Sequence, residues 1–303
     1  MNKGLIVVLG ATATGKTSLA IKLAQKFNAP ILSADSRQVY KHFDIGTSKP
    51  NLTERQGISH YLIDIAEPNT TLTLAEYQGQ AQKLIAEFHA QGITPILVGG
   101  TGLYIKSIVA GMQIPRVAPN YYLRSQLLEL GQSQCHQILQ QVDPRSKIHA
   151  NDQARTIRAL EVFYVTGKPL TEQQGEHPPT YPICQIGISS PPLEIYKKIV
   201  SDRIEHMLKQ GWLEEIKFIQ NQYGSGLPLL STLGYKEMGT YLSGQINLEL
   251  AKELTVKHTL QFAKHQRTWF NSKSYGEVNW INNPQNFDSS FNNIEDLLNF
   301  IHN

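Results

Sequence analysis

The segment Gly10-Ala11-Thr12-Ala13-Thr14-Gly15-Lys16-Thr17 has the spacing G-x-x-x-x-G-K-[ST] and lies between an apolar run and a helical pattern. In that setting the spacing builds a phosphate-binding loop. The glycines let successive backbone N–H groups close around phosphate oxygens, and the following helix adds the positive end of its dipole. Lys16 supplies a point charge, and the Thr17 hydroxyl is a hard oxygen ligand suited to Mg²⁺. Every part of the segment favours negative charge, so Gly10 to Thr17 reads as a diphosphate site. Nucleotide hydrolysis, phosphoryl transfer and other diphosphate chemistry all remain open at this point.

Two further loops bear on that choice. An ATPase places a carboxylate after a second apolar strand, but Ile96-Leu97-Val98 runs instead into Gly99-Gly100-Thr101-Gly102-Leu103-Tyr104. The glycines of that turn permit close backbone approach to a ligand, and Thr101 can cap the helix from Leu103 to Val109. Asp35 directly follows the apolar stretch Pro30 to Ala34, which puts it at the carboxyl edge of a sheet, where open α/β folds bind ligands. A carboxylate beside a diphosphate repels it. Its use is therefore as a metal ligand or as a base for a nucleophilic amine or hydroxyl, with a turn aspartate as the structural alternative.

The elements that carry these residues alternate. Leu5 to Leu9 is a continuous apolar run expected of a strand buried on both faces, Ser18 to Phe27 is helical, and Pro30 to Ala34 is a second strand. Leu62 to Ile65 is a third candidate, Ala75 to Gln91 a helix, and Pro95 to Val98 a fourth strand. This is an α/β fold, a P-loop NTPase-like parallel sheet flanked by helices. After the linker Ile114 to Pro119 the pattern turns helical over Leu123–Leu130, Cys135–Val142 and Asp152–Val165, up to the breakpoint Gly175 to Pro182. Residues 119–181 thus read as a helical insertion into a core of 1–118 and 182–303. The core resumes with a strand at Ile183 to Ser189 and helical stretches at 194–223, 231–242 and 248–270. The Asn- and Ser-rich stretch Asn282 to Asn293 is expected to be loose, and Ile294, Leu297, Leu298 and Ile301 to form the stripe of a last helix.

In the insertion, Arg155 and Arg158 share a helix face behind the N-cap candidate Asn151, near Arg124, Arg145 and Lys147. Such a set suits either solvent or a phosphate backbone. Lys257 and Lys264 repeat along the late helix, as do His258 and His265, which lack a third ligand at metal spacing. The chain of 303 residues has a net charge of +3, which permits nucleic acid as a partner without demanding it. Only two cysteines occur, Cys135 and Cys184, which excludes a disulfide framework and a four-cysteine zinc site. No run is long enough to cross a membrane, and a reduced, cytoplasmic protein is expected.

Taken together and in order, these segments resemble those of the tRNA dimethylallyltransferases, also called tRNA isopentenyltransferases. The segments are the phosphate loop, Asp35-Ser36-Arg37-Gln38-Val39-Tyr40, Asp44-Ile45-Gly46-Thr47-Ser48-Lys49-Pro50, His60 to Ile65 and Gly99 to Tyr104. They continue with Asn151-Asp152, Arg155, Arg158 to Val162, Gly234 to Glu237, Ala263 to Gln266 and Thr268-Trp269. The resemblance implies transfer of a dimethylallyl group from dimethylallyl diphosphate to N6 of the adenosine 3′ of the anticodon in a tRNA stem-loop. Mg²⁺ is the implied metal and the monomer the implied state, with a P-loop small-molecule kinase as the competing reading. The phosphate loop would then cradle a diphosphate rather than ATP, Asp35 would accept the N6 proton, and Thr12, Lys16, Thr17 and Thr101 would line the donor. Asp35, Ser36, Arg37, Gln38, Thr101, Arg124, Arg155, Arg158 and Lys264 would meet the tRNA. The chain departs from the family pattern at Ala11, at Leu260 and His265, and at Pro191-Pro192-Leu193, where an arginine near the diphosphate is common. Lys197 or Lys198 is the expected substitute there, with Lys198 assigned to the donor, as a point charge without bidentate geometry.

Overall fold

The structure, a computed structural model, describes residues 4–272, 275–282 and 297. Two compact units are present, one formed by residues 1–106 and 180–303 and the other by 107–179. The first unit begins with β1 (Leu5–Gly10), α1 (Lys16–Phe27), β2 (Ile31–Ser33), β3 (His60–Tyr61), α2 (Leu74–Ala90) and β4 (Ile96–Gly99). Helix α3 (Gly102–Val109) carries the chain into the second unit, which holds β5 (Met112–Gln113), α4 (Tyr121–Leu130), α5 (Gln132–Val142), α6 (Gln153–Thr166), α7 (Leu170–Gln173) and β6 (Gly175–Glu176). The first unit resumes with β7 (Ile183–Ile188), α8 (Leu193–Lys209), α9 (Trp212–Tyr223), a 3-10 turn (Pro228–Ser231), α10 (Tyr235–Leu242), α11 (Leu248–Phe270) and β8 (Asn279–Ile281).

The large sheet runs in the order β3-β2-β4-β1-β7-β8, and each of its pairings is parallel. Every residue of β1 is buried, as a central strand covered on both faces requires. Ile6, Val8, Ile31, Ile96 and Ile186 pack against Leu19, Ala20 and Leu23 of α1 in one core, which Leu297 also joins. The carboxyl ends of β1, β2, β4 and β7 lie at one edge because Leu9 pairs with Gly99 and with Gly187, and Ser33 with Val98.

Several expectations shift. The third strand is His60–Tyr61, not Leu62–Ile65: Leu62 and Asp64 have φ of 61° and 55°, a left-handed backbone that ends the extended pairing. The helical stretch 194–223 is two helices, parted at Gly211 with φ 96°, and β8 extends the sheet without having been expected. The second unit opens at Ser107 rather than at 119 because Met112–Gln113 pairs antiparallel with Gly175–Glu176. Its helices enclose a core of Leu127, Cys135, Leu139, Ile157, Ala159 and Leu160. Helix α6 is capped by Asp152, which accepts from Arg155 N–H, and not by Asn151. Apart from Asn282 and Leu297, the expected loose tail and final stripe lie outside the described residues. No helix among the described residues is long and apolar enough to cross a membrane.

Candidate active site

The phosphate loop leaves the end of β1 with Gly10 at φ 145°, where a Cβ would stand 2.8 Å from the carbonyl oxygen of Ile188. Only glycine fits there. The Thr14 hydroxyl and the Lys16 ammonium both donate to the carbonyl of Ala11, which folds the loop on itself. Helix α1 starts after Gly15 in the left-handed conformation with no side-chain cap, so no capping side chain competes for the N–H groups of its first turn. Thr12, Ala13, Gly15, Lys16 and Thr17 line a cavity of about 670 Å³. Gly10, Ala11 and Thr14 build the loop behind it.

Asp35 and Gln38 line the same cavity. Asp35 Oδ1 accepts from the N–H groups of Arg37 at 2.8 Å and Gln38 at 3.4 Å, an Asx turn that fixes the carboxylate at the end of β2. The same residue thus makes the turn and lines the cavity. Ser36 N–H donates to Thr101 Oγ1 at 2.9 Å, so the loops after β2 and β4 are tied to each other, while Thr101 also begins α3 through its carbonyl. Gln38 accepts from Ser33 Oγ and donates to the carbonyls of Thr47 and Ser48. Gly99 lines the phosphate-loop cavity, and the glycines of the second turn are also closely packed. A Cβ on Gly99 would lie 2.1 Å from Ala34 O, on Gly100 2.4 Å from Gln266 Nε2, and on Gly102 2.2 Å from Trp269.

A second cavity of about 450 Å³ adjoins the first. Thr12, Asp35, Thr47 and Arg203 line both. Ser36, Arg37 and Thr101 border only the second, whose other wall is largely apolar, with Val200, Ile204, Met207, Trp212 and Phe262.

The residue at this junction that sequence reading missed is Arg203. Its Nη1 donates to Thr12 Oγ1 at 3.0 Å. Thr12 is gripped at two more atoms, since its N–H donates to Gln266 Oε1 at 2.8 Å and its carbonyl accepts from Tyr196 OH. Gln266 passes its amide on to Gly100 O at 2.9 Å. A signal for Arg203 exists in the sequence: Tyr196, Val200, Ile204 and Met207 form the buried stripe of α8, and Arg203 lies on that stripe, seven residues after Tyr196. A cation there must face the interior. Lys197 and Lys198 fall off the stripe and are exposed, and Lys198 lines neither cavity. Lys264 is likewise exposed on α11.

The expected tRNA contacts of the insertion behave differently from one another. Arg124 donates to both oxygens of Glu161 at 2.8 Å, and Arg158 donates to Glu161 and to Val117 O. Glu161 is fully buried, so both guanidinia are anchored within their own unit. Arg155 is mostly exposed, and among the described residues its ion-pair partner is Asp152, at 3.4 Å.

Electrostatics in the first unit favour an anion. Burial pulls the Lys16 ammonium down to about 8, against the attraction of Asp35 and with repulsion from Arg203 adding to the fall. The Arg203 guanidinium is lowered by burial and held up by Asp35. Two cations sharing one partly buried carboxylate leave a site that an incoming dianion relieves.

Comparison with known proteins gives one result. Residues 38–273 match the family model described as IPP transferase. The tRNA dimethylallyltransferase of Acaryochloris marina is 58% identical over 283 residues, 93% of each chain. The crystal structure of the tRNA isopentenylpyrophosphate transferase from Bacillus halodurans is 32% identical, with a TM-score of 0.71 over 99% of this chain and 96% of that one. A eukaryotic dimethylallyltransferase acting on tRNA is 27% identical, with a TM-score of 0.80 over 98% and 78% of the two chains. With a family model spanning most of its length and a relative 58% identical over 93% of it, the chain belongs to the IPP transferase family.

Proposed function

We propose that the protein transfers the dimethylallyl group of dimethylallyl diphosphate to N6 of the adenosine next to the anticodon in tRNA, releasing diphosphate. The observation that carries this reading is the junction: Asp35 and Arg203 line both the phosphate-loop cavity and the apolar-walled cavity beside it. A diphosphate ester with a short hydrocarbon needs both environments. Lys16, the N–H groups at the start of α1 and Arg203 would hold the diphosphate and stabilise the charge that develops on it as the C–O bond breaks. The N6 lone pair forms the new C–N bond, and Asp35 takes the N6 proton. The apolar wall limits the access of water, which would otherwise hydrolyse an allylic cation.

Mg²⁺ fits the residues present. Thr17 and Asp35 offer hard oxygen donors to one cavity, whereas no cluster of three His, Cys, Asp or Glu that could hold a metal is found among the described residues. Such a site suits a cation that takes its remaining ligands from diphosphate and water. When bound, Mg²⁺ would spread the negative charge of the leaving group. One chain supplies every residue named, so the reaction is proposed for a monomer. The two free, buried thiols Cys135 and Cys184 accord with a reducing cytoplasm.

The test is mass spectrometry of nucleosides digested from unmodified tRNA after incubation with the protein, Mg²⁺ and either dimethylallyl diphosphate or ATP. N6-isopentenyladenosine formed only with the prenyl donor is expected. Substrate-dependent ADP formation would favour a small-molecule kinase, a reading that the family membership disfavours.

A further inference from the structure

We propose that Glu215 is a positioning residue for the transfer reaction: it fixes the loop 44–48 that places Thr47 at the junction of the two cavities and steadies the turn presenting Asp35. The inference rests on the function proposed above. Glu215 stands in the first turn of α9, far along the chain from that loop. Its Oε2 accepts from the N–H groups of Asp44 at 3.0 Å and Ile45 at 2.6 Å, and its Oε1 from Gly46 N–H at 3.1 Å. Three successive backbone donors thus converge on one carboxylate. Such a run of N–H groups forms a concavity that attracts an anion, and here the protein supplies the anion itself. Tyr235 OH donates to Oε1 at 2.7 Å and orients the carboxylate from the other side.

The held loop connects to the chemistry in two ways. Gly46 has no room for a side chain, because a Cβ would stand 2.2 Å from Trp212 Nε1 and 2.5 Å from the Tyr235 ring. The backbone is therefore pinned between Glu215 and two aromatic rings, which sets where Thr47 meets both cavities. The carbonyls of Thr47 and Ser48 each accept from Gln38 Nε2 at 3.2 Å, and Gln38 N–H donates to Asp35 Oδ1. Glu215 touches neither cavity. Its effect on transfer must pass through the groups it holds, the loop with Gln38 and Asp35 and the Tyr235 side chain that borders the second cavity, while the phosphate loop is held separately through Thr12.

The experiment compares Glu215→Gln and Glu215→Ala with the unaltered protein in three readouts. Amide hydrogen exchange at residues 44–46 is expected to quicken in both variants. Affinity for inorganic diphosphate, measured by calorimetry, is expected to stay within about twofold, while kcat falls about 10- to 100-fold, the scale of a small misplacement of reacting groups. Added formate, which can occupy the vacated concavity, is expected to restore part of kcat in Glu215→Ala and to leave the unaltered protein unchanged. An unchanged kcat with faster exchange overturns the proposal, as does a parallel loss of diphosphate binding and kcat. Unchanged exchange at 44–46 overturns the hold itself, whatever the activity. If the unaltered protein forms no prenylated nucleoside, the functional reading fails, and the exchange result still judges the hold.

Discussion

Arg203 Nη1 donates to Thr12 Oγ1 at 3.0 Å, joining the middle of α8 to the phosphate loop. The guanidinium lies on the inward stripe of its helix and lines both cavities. A charge-assisted hydrogen bond to a charged group is worth about 1.5–3 kcal/mol. Arg203→Ala should therefore weaken inorganic diphosphate binding about 10- to 100-fold in a calorimetric titration. Arg203→Lys should recover only part of this, because an ammonium lacks the planar fork. Equal affinity in all three proteins would remove Arg203 from the diphosphate site.

Gln266 joins the loops after β1 and β4 through one amide, accepting from Thr12 N–H and donating to Gly100 O. Gln266→Ala frees both groups and should lower diphosphate affinity about tenfold, the scale of one or two lost hydrogen bonds. Gln266→Glu should be worse, since it loses the donor to Gly100 O and sets a carboxylate beside the site. Tighter binding by the glutamate variant than by the alanine variant would contradict this account.

How much of this was legible in the sequence depended on how local the signal was. The apolar run of β1, the glycine-lysine spacing of the loop and the emergence of Asp35 after β2 are each contained in a few residues, and the sheet brings them to one edge. Arg203 and Gln266 act on Thr12 across more than 190 and 250 positions, and no local spacing encodes such a pairing. Only the stripe of α8 hinted that Arg203 faces inward while Lys198 faces out. The glycines after β4 are expected to allow close backbone approach to a ligand; Gly99 does line the phosphate-loop cavity, while Ala34, Gln266 and Trp269 crowd the space where side chains would stand. Arg155 and Arg158 have the spacing of a shared face with Arg124 nearby, but Glu161, the common partner of Arg124 and Arg158, lies on the buried side of α6 and is not signalled by that spacing.

Lys16 gives a pH dependence with a definite sign. Its ammonium, lowered by burial to about 8 from the ordinary 10.5, is charged below that value and neutral above it. Diphosphate affinity should hold below pH 8 and fall as pH rises through about 8. Binding at pH 9 should lead Lys16 to take up a proton, because the bound polyanion restores its charged form. Calorimetry at that pH in buffers of different ionisation enthalpy measures this uptake. For stability the sign is opposite: between pH 8 and 10.5 the unfolded chain binds more protons, so the Lys16 contribution rises with pH. Absence of proton uptake at pH 9 would place the charged form well outside this window.

Glu161 separates structural arginines from those free to meet a polyanion. Its burial alone would raise its carboxyl, but hydrogen bonds from Arg124, Asn120 N–H and Arg158 outweigh that and pull it down to about 2. Its stabilising contribution is therefore full above the ordinary carboxylate range and is lost as pH falls from about 4.5 toward 2. Glu161→Ala leaves two part-exposed guanidinia without their buried partner and should destabilise the unit, seen as a lowered Tm. Arg124→Ala and Arg158→Ala should also lower Tm. Arg155→Ala, at an exposed position with one distant partner, should leave Tm unchanged while weakening tRNA binding and reducing its salt dependence by about one counterion. A drop in tRNA affinity for Arg124→Ala at unchanged Tm would mean that this guanidinium leaves Glu161 for the RNA, and that the buried carboxylate is satisfied by Arg158 and Asn120 alone.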